Sequence, residues 1–159
     1  MQKITPFLWF NDNAEEAINL YTSIFKNSKI LNVSRYGEGM PFPAGTLMTA
    51  TIQLDGQQFM VLNGGPDHPF GDAVSFFVNC ETQAEVDDLW AKLTAQGGEP
   101  GQCGWLKDRF GVSWQIIPKL LGELMSDPNP AKAGSVVQAM LQMQKIDTAK
   151  LQQAYDSAG

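Results

Sequence analysis

The order of the predicted elements constrains the fold most, because the same order occurs twice along the chain. Residues 3–10 form a short aromatic and β-branched run that is typical of a buried strand, and residues 11–26 carry apolar side chains at helical spacing. Three more strands are predicted after the helix, at residues 29–36, 46–54 and 54–63. The dipeptide Asp55-Gly56 between the last two predicts a tight hairpin. The first half therefore has the predicted order strand, helix, strand, strand, strand.

The same order is predicted again from residue 73 onward. An apolar run at residues 73–80 precedes a helical pattern in which Thr82 is the expected N-cap and Glu85 occupies the capping-box position. Three further strands are predicted at residues 99–103, 104–108 and 112–118. Setting Phe10 beside Val78 aligns the first strands of the two halves. Internal duplication is the simplest explanation, and the alternative is that two unrelated amphipathic strand–helix units resemble each other.

The segment from Lys119 onward has no further strand pattern. A helix is predicted to begin at Pro130, and a second helix is predicted to follow Asp147 as its N-cap. Met140 and Met143 are expected to be packing residues in an appended helical hairpin. The alternative is that they form a docking face for a partner subunit.

Composition excludes several classes of partner. The chain has 159 residues and a formal net charge of -6, and Arg35 and Arg109 are its arginines, so it lacks a basic stripe for nucleic acid or an anionic membrane. Its apolar runs are too short to cross a bilayer and its first residues lack an export signal, so we expect a soluble, cytoplasmic protein. Cys80 and Cys103 form no CxxC pair and are expected to be reduced thiols.

Several segments together resemble a known family. They are ITPFLWFNDNAEEAINLYTSIF, LNGGP, SFFVNCETQAEVDDLW and QCGWLKDRFGVSWQIIP, followed by the helical tail. The chain is similar to the PhnB-like, 3-demethylubiquinone-9 3-methyltransferase-like branch of the vicinal-oxygen-chelate superfamily, which includes glyoxalases, bleomycin-resistance proteins and extradiol dioxygenases. The resemblance implies an α+β fold, in which tandem βαβββ modules form an eight-stranded, cup-shaped mixed sheet, commonly in a homodimer. It implies a vicinal-oxygen-chelate domain at 1–118, with modules 1–66 and 67–118, and a helical extension at 119–159.

The resemblance also implies where a metal ion would bind. Members of that superfamily hold a divalent metal in the cup with His, Glu or Gln side chains from the first and last strand of each module. Matching the motifs places the four positions at Thr5, Asn63, Ala73 and Gln115. Because two amides, a hydroxyl and a methyl cannot neutralise a dication, we predict no metal and no other cofactor. The alternative is an unconventional metal site at Asp67, His68 and Asp72.

Strand alternation predicts which side chains line the cup. Counting by twos from the four positions gives the expected ligand-binding residues, which are Thr5, Phe7, Trp9, Phe59, Asn63, Ser75, Phe77 and Gln115. Aromatic rings with a few neutral hydrogen-bonding groups favour an apolar or aromatic small molecule as the ligand. The alternative to a pocket is that these rings fill the cup themselves.

Two functions follow from this composition. The first is a metal-independent small-molecule-binding protein, similar to the bleomycin-resistance relatives. The second is an enzyme of the same superfamily, either a metal-assisted lyase, isomerase or dioxygenase or a cofactor-free one. The methyltransferase label is not supported, because no glycine-rich loop follows the first strand to hold S-adenosylmethionine.

The loop Asn63-Gly64-Gly65-Pro66 joins the two halves of the chain. Its glycines are expected to provide a positive φ and close backbone approach, and Phe70 is a candidate lid residue. His68 could act as a catalytic base only with an orienting partner, which the sequence does not provide.

Overall fold

The computed structural model describes residues 2–159 and divides into two compact units, with the boundary between Phe70 and Gly71. Each unit contains one strand–helix–strand–strand–strand module, and the second unit also contains the C-terminal helices. The α+β class and the tandem βαβββ order are therefore confirmed. Within the part of the chain that is described, the helices are all too short or too polar to span a bilayer.

The first unit is a four-stranded sheet with one helix. Its elements are β1 (Phe7–Phe10), α1 (Ala14–Ile24), β2 (Lys29–Arg35), β3 (Leu47–Leu54) and β4 (Gln57–Asn63). The strand order is β1-β4-β3-β2, in which β1 and β4 are parallel and the other pairs are antiparallel. The predicted hairpin joins β3 to β4, with φ of 46° at Asp55 and 82° at Gly56. Two consecutive positive φ angles are the geometry that a two-residue hairpin of this type needs.

One face of this sheet packs against α1. The buried side chains of α1 recur at helical spacing and meet every second residue of β3 and β4. The helix contributes Ala14, Ala17, Ile18 and Tyr21, and the two strands contribute Ala50, Ile52, Leu54, Phe59 and Val61. This pattern is the expected one for a sheet that is covered on one side by a helix.

Asn63 at the end of β4 connects this sheet to the start of the helix. Its Oδ1 accepts a hydrogen bond from the Ala14 amide at 2.9 Å, and its Nδ2 donates to the Leu47 carbonyl at 3.0 Å. The N-cap residue Asn13 makes no side-chain capping bond of its own. A side chain that is distant in sequence therefore satisfies one of the orphan amides of α1.

The second unit repeats the sheet and adds three helices. Its elements are β5 (Phe76–Cys80), α2 (Gln83–Thr94), β6 (Glu99–Pro100), β7 (Trp105–Lys107), β8 (Ser113–Pro118), α3 (Lys119–Met125), α4 (Pro130–Leu141) and α5 (Thr148–Ser157). The strand order is β5-β8-β7-β6, and β5 and β8 are parallel. Thr82 caps α2 as predicted, because its side chain accepts from the Glu85 amide at 3.2 Å.

The C-terminal helices have their own apolar core. It consists of Ile117, Leu121, Leu124, Val136, Met143, Ile146 and Leu151. Gln83 at the start of α2 fastens this layer, since its Nε2 donates to the Ile146 carbonyl at 2.9 Å and its Oε1 accepts from the Thr148 amide at 2.7 Å. The predicted starts of α4 and α5 are confirmed, and so is the packing role of Met143, which is 8% exposed.

We predict that Asn63→Ala lowers the free energy of unfolding by about 2–4 kcal/mol, because it leaves the Ala14 amide and the Leu47 carbonyl buried without partners. Urea unfolding followed by circular dichroism measures the change. Asn32→Ala is the matched control, since Asn32 lies exposed on the edge strand β2, and it should change stability by less than about 0.5 kcal/mol. Equal effects of the two substitutions would contradict the capping role.

Candidate functional site

The register of the parallel pair β5 and β8 determines which side chains of the second unit share a face. Phe77 lies opposite Gln115, and Asn79 lies opposite Ile117. Trp114 and its neighbours at every second position face the side that α2 covers, and Trp114 is 3% exposed. The predicted faces of these two strands are therefore confirmed.

A pocket of about 570 Å³ lies on the sheet face that is turned away from α2. Its sheet wall is formed by Phe77, Asn79, Gln115 and Ile117. Its opposite wall is formed by α3 and α4, with Leu121, Met125 and Met140. Both walls belong to the second unit. The volume is in the range of small-molecule sites in proteins.

The polar groups of this pocket are mostly neutral. The Gln115 Nε2 donates to the Ser75 hydroxyl at 3.0 Å, which holds the amide in one orientation. Ser75, Phe77 and Gln115 are thus brought together, as the alternation predicted, and their role in ligand binding stays a prediction. Lys119 lies on the rim with its ammonium 2.7 Å from the Glu81 carboxylate. The hydrogen bond that the Lys119 ammonium donates to Glu81, and then the negative charge of Glu81, raise the pKa of Lys119.

In the first unit the face prediction is wrong for β4. Phe7 and Trp9 lie opposite Met60 and Leu62, whereas Asn63 lies opposite Phe10. Residues that are paired in a parallel ladder point to the same side, so Asn63 shares the helix side of the sheet, where it is 1% exposed. The predicted alternation along β4 is shifted by one residue, and a one-residue shift moves all the side chains of a strand to the other face of the sheet.

The predicted face of Phe59 is wrong for the same reason. It lies four residues before Asn63 on β4, is 7% exposed, and packs on the helix side of the sheet. The residue of the first unit that corresponds to Gln115 is Leu62, because Leu62 lies opposite Trp9 as Gln115 lies opposite Phe77. A leucine carries no lone pair for a metal ion, so this corrected position still offers no ligand.

Trp9 supports the glycine loop that follows β4. Its Nε1 donates to the Gly65 carbonyl at 2.9 Å, and its ring lies edge-on to the His68 ring with centroids 4.7 Å apart. A Cβ at Gly64 would stand 2.3 Å from the indole Cζ2, and Gly65 has a φ of 96°. The predicted close approach and positive φ are confirmed. Trp9 therefore holds the loop in place, in addition to any role toward a ligand.

The remaining predicted residues of the first unit lie around β1. Thr5 precedes the strand and is half-buried, and Phe7 is 49% exposed. Phe70, the candidate lid residue, packs its ring edge-on against Phe10 with centroids 5.0 Å apart. Because Phe10 is 1% exposed, this contact anchors Phe70 to the core of the unit.

The unconventional metal site is not formed. Within residues 2–159, no group of three or more His, Cys, Asp and Glu side chains lies close enough together to hold a metal ion. Asp72 accepts a hydrogen bond from the Ser113 hydroxyl at 2.8 Å and lies 3.4 Å from the Lys107 ammonium. The bond from Ser113 is the main reason that the pKa of Asp72 is lowered. His68 is exposed and contacts Trp9.

Sequence reasoning missed the helix wall of the pocket. The helix α3 has 7 residues and starts directly after β8, so no cap or long periodic pattern marks it. Met140 was predicted to be a packing residue or part of a docking face for a partner subunit, and not part of a pocket wall. Asn79 could have been found, because it is two residues from Phe77 and alternation places both on one face.

The chain belongs to the 3-demethylubiquinone-9 3-methyltransferase family, whose model matches residues 2–117. The matched residues include both βαβββ modules, which confirms the resemblance to the PhnB-like branch of the vicinal-oxygen-chelate superfamily. The match ends before α3.

Two solved structures illustrate the similarity. The PhnB protein from Bacillus cereus is 43% identical over 74% of this chain and 99% of its own, with a TM-score of 0.67. Protein PA1353 from Pseudomonas aeruginosa is 25% identical over 74% of this chain and 98% of its own, with a TM-score of 0.60. A search of the curated proteins found no match.

The family description implies S-adenosylmethionine, which carries a sulfonium, an ammonium and a carboxylate. The residues present do not fit this cofactor. Residues 11–13, which connect β1 to α1, contain no glycine, and each sheet is a four-stranded mixed sheet. The cation on the pocket rim, Lys119, is already paired with Glu81.

The two cysteines give a direct test of this geometry. Burial is the main cause that raises the pKa of Cys80 to about 12, whereas Cys103 is half-buried and lines the pocket. At pH 8 only about one Cys80 in ten thousand would be a thiolate. We predict that iodoacetamide alkylates Cys103 in the folded protein and reaches Cys80 only in concentrated guanidinium chloride.

Mass spectrometry of tryptic peptides measures this labelling. The variant Cys103→Ser is the control, and it should take up label only after unfolding. Alkylation of Cys80 at the rate of Cys103 in the folded protein would contradict the described burial.

Proposed function

We propose that this chain binds a neutral apolar or aromatic small molecule, without a metal ion, in the pocket of its second unit. The walls of this pocket are mainly aromatic and aliphatic, and its volume of about 570 Å³ accommodates a molecule of two to three rings. A binding role of this kind agrees with the position of the pocket, which lies on the sheet face that is turned away from α2. The family's description by itself does not define the ligand.

The exposure of Phe77 is the observation that carries the proposal. Phe77 is 54% exposed, and it lies on the edge strand β5, where it borders the pocket beside Gln115 of β8. An aromatic ring in such a position gains about 25 cal/mol for each Å² that a ligand covers. Offset or edge-on contact with a ligand ring would add to this gain.

The charges around the pocket favour a neutral ligand. Lys119 is paired with Glu81, and Glu123 adds a further negative charge to the pocket lining. The chain as a whole has a formal net charge of -6. An anionic ligand would therefore meet repulsion and find no unpaired cation among these lining residues. The Gln115 amide can instead exchange hydrogen bonds with a neutral carbonyl, hydroxyl or amine.

The donor groups of the pocket support binding without a metal. The sheet wall offers the amides of Asn79 and Gln115, and the nearby hydroxyl of Ser75 is already bonded to Gln115. Neutral amides do not offset the charge of a transition-metal dication, for which proteins use imidazole, thiolate or carboxylate groups. Glu123 and Cys103 also line the pocket, but within residues 2–159 no three His, Cys, Asp and Glu side chains lie close enough together to hold a metal ion.

We predict that the neutral fluorescent probe N-phenyl-1-naphthylamine binds at one saturable site and that Phe77→Ala weakens this binding by roughly tenfold or more. The loss follows from removing the ring that the probe would cover, which is worth about 1.5–3 kcal/mol. Fluorescence titration measures both dissociation constants. The sulfonated analogue 8-anilinonaphthalene-1-sulfonate should bind more weakly because of its charge.

Phe42→Ala is the matched control, since Phe42 stacks on Tyr36 in the first unit. It should leave the affinity for the probe within about twofold. The proposal fails if the wild-type protein shows no saturable binding, or if the two phenylalanine substitutions have the same effect.

We also predict that extensive dialysis against EDTA leaves the affinity for N-phenyl-1-naphthylamine unchanged, because none of the proposed contacts uses a metal ion. Titration before and after dialysis, with metal content measured by mass spectrometry, checks this. An affinity that falls on dialysis and returns with added Mn²⁺ or Zn²⁺ would be evidence for a metal-dependent site.

A further inference from the structure

The family model matches one wall of the pocket but not the other. Its sheet wall lies within residues 2–117, which the family model matches, whereas α3 and α4 lie beyond them. The PhnB protein from Bacillus cereus is matched over 99% of its own length by 74% of this chain. About a quarter of this chain therefore has no counterpart in that relative, and the helices α3, α4 and α5 are additional to the residues that the family model matches.

The additional helices are firmly attached to the second unit. The Cys103 amide donates to the Met143 carbonyl at 2.8 Å, and the Gly104 amide donates to the Gln144 carbonyl at 2.8 Å. The Lys145 ammonium lies 2.8 Å from the Asp87 carboxylate of α2. Together with the buried core of the helices, these contacts make the wall a preformed part of the fold.

The helix wall has adaptable chemistry and unfilled space. Met125 and Met140 present flexible thioether side chains, which contact aromatic rings favourably. Gly122 of α3 also lines the pocket, and a Cβ built there meets no atom within 4 Å. A glycine inside a helix costs stability relative to alanine, so its presence leaves room that a larger residue would occupy.

We propose that α3 and α4 form a second subsite, which takes the apolar extension of a ligand whose aromatic head lies on Phe77. This inference rests on the proposed function. It also defines the ligand class more narrowly. The expected ligand is a neutral molecule with an aromatic ring, a hydrogen-bonding group near Gln115, and a further ring or alkyl chain that packs against Met125 and Met140. Gly122 sets the size of the extension that the subsite accepts.

The experiment uses two neutral probes, which differ by one phenyl ring. N-phenyl-1-naphthylamine would fill both subsites, whereas 1-naphthylamine would occupy only the Phe77 subsite. Gly122→Leu places a side chain in the second subsite and raises the helix propensity of α3. Its matched control is Gly134→Leu, because Gly134 lies inside α4, meets no atom within 4 Å of a built Cβ, and does not line the pocket.

We expect Gly122→Leu to weaken binding of N-phenyl-1-naphthylamine by roughly tenfold or more, and that of 1-naphthylamine by less than about threefold. Gly134→Leu should change neither. Met125→Ala is a second variant with little risk to folding, since Met125 is 39% exposed, and it should lower only the affinity for the larger probe. Met40→Ala in the first unit, where Met40 is 50% exposed, is its control.

Three results would overturn the inference. If Gly122→Leu and Met125→Ala bind the larger probe as the wild type does while Phe77→Ala does not, the helices form no subsite and the proposed function stands. If both probes lose affinity equally in Gly122→Leu, the pocket has one subsite only. If Phe77→Ala has no effect on either probe, the proposed function itself fails, and the inference fails with it.

Discussion

Parallel pairing between the first and last strand of each unit is the constraint on which the rest of the structure depends. The pair β5 and β8 sets Phe77 opposite Gln115, and the pair β1 and β4 sets Trp9 opposite Leu62. Because side chains alternate along a strand, this register decides at once which residues pack against the helix and which face away from it. The pocket of the second unit and the capping role of Asn63 both follow from it.

Local signals in the sequence were sufficient for most of the elements. The Thr82 cap, the turn at Asp55-Gly56 and the start of α4 at Pro130 each depend on residues within four positions of one another. Such contacts depend only on the residue types and the backbone geometry of a short segment. They could be predicted without knowing how the chain folds back on itself.

The role of Asn63 could not be predicted in this way. Its partners are the amide of Ala14 and the carbonyl of Leu47, which come together only when the sheet and α1 have formed. An amide at the end of an apolar strand has the same appearance in the sequence whether it faces a ligand or caps a helix. In the second unit the equivalent position is the buried, apolar Ile116, and Gln115 lines the pocket on the other face, as strand alternation predicted.

The pocket combines a sheet wall that the family model matches with a helix wall that lies beyond the matched residues. Within the family-matched residues, Phe77 and Gln115 provide an aromatic surface and an oriented amide, and the additional helices provide the apolar wall opposite them. Neither wall encloses the space alone. The helices therefore shield part of the aromatic surface of Phe77 from solvent. The remaining part stays accessible to a ligand of suitable shape.

The most direct test is a crystal structure of the protein grown with N-phenyl-1-naphthylamine and without added metal. The account predicts electron density for the naphthyl ring against Phe77 and for the phenyl ring between Gly122 and Met140. It predicts no metal ion within bonding distance of the probe. Density for a coordinated metal ion at the pocket, or a probe bound elsewhere while the pocket holds only water, would contradict it.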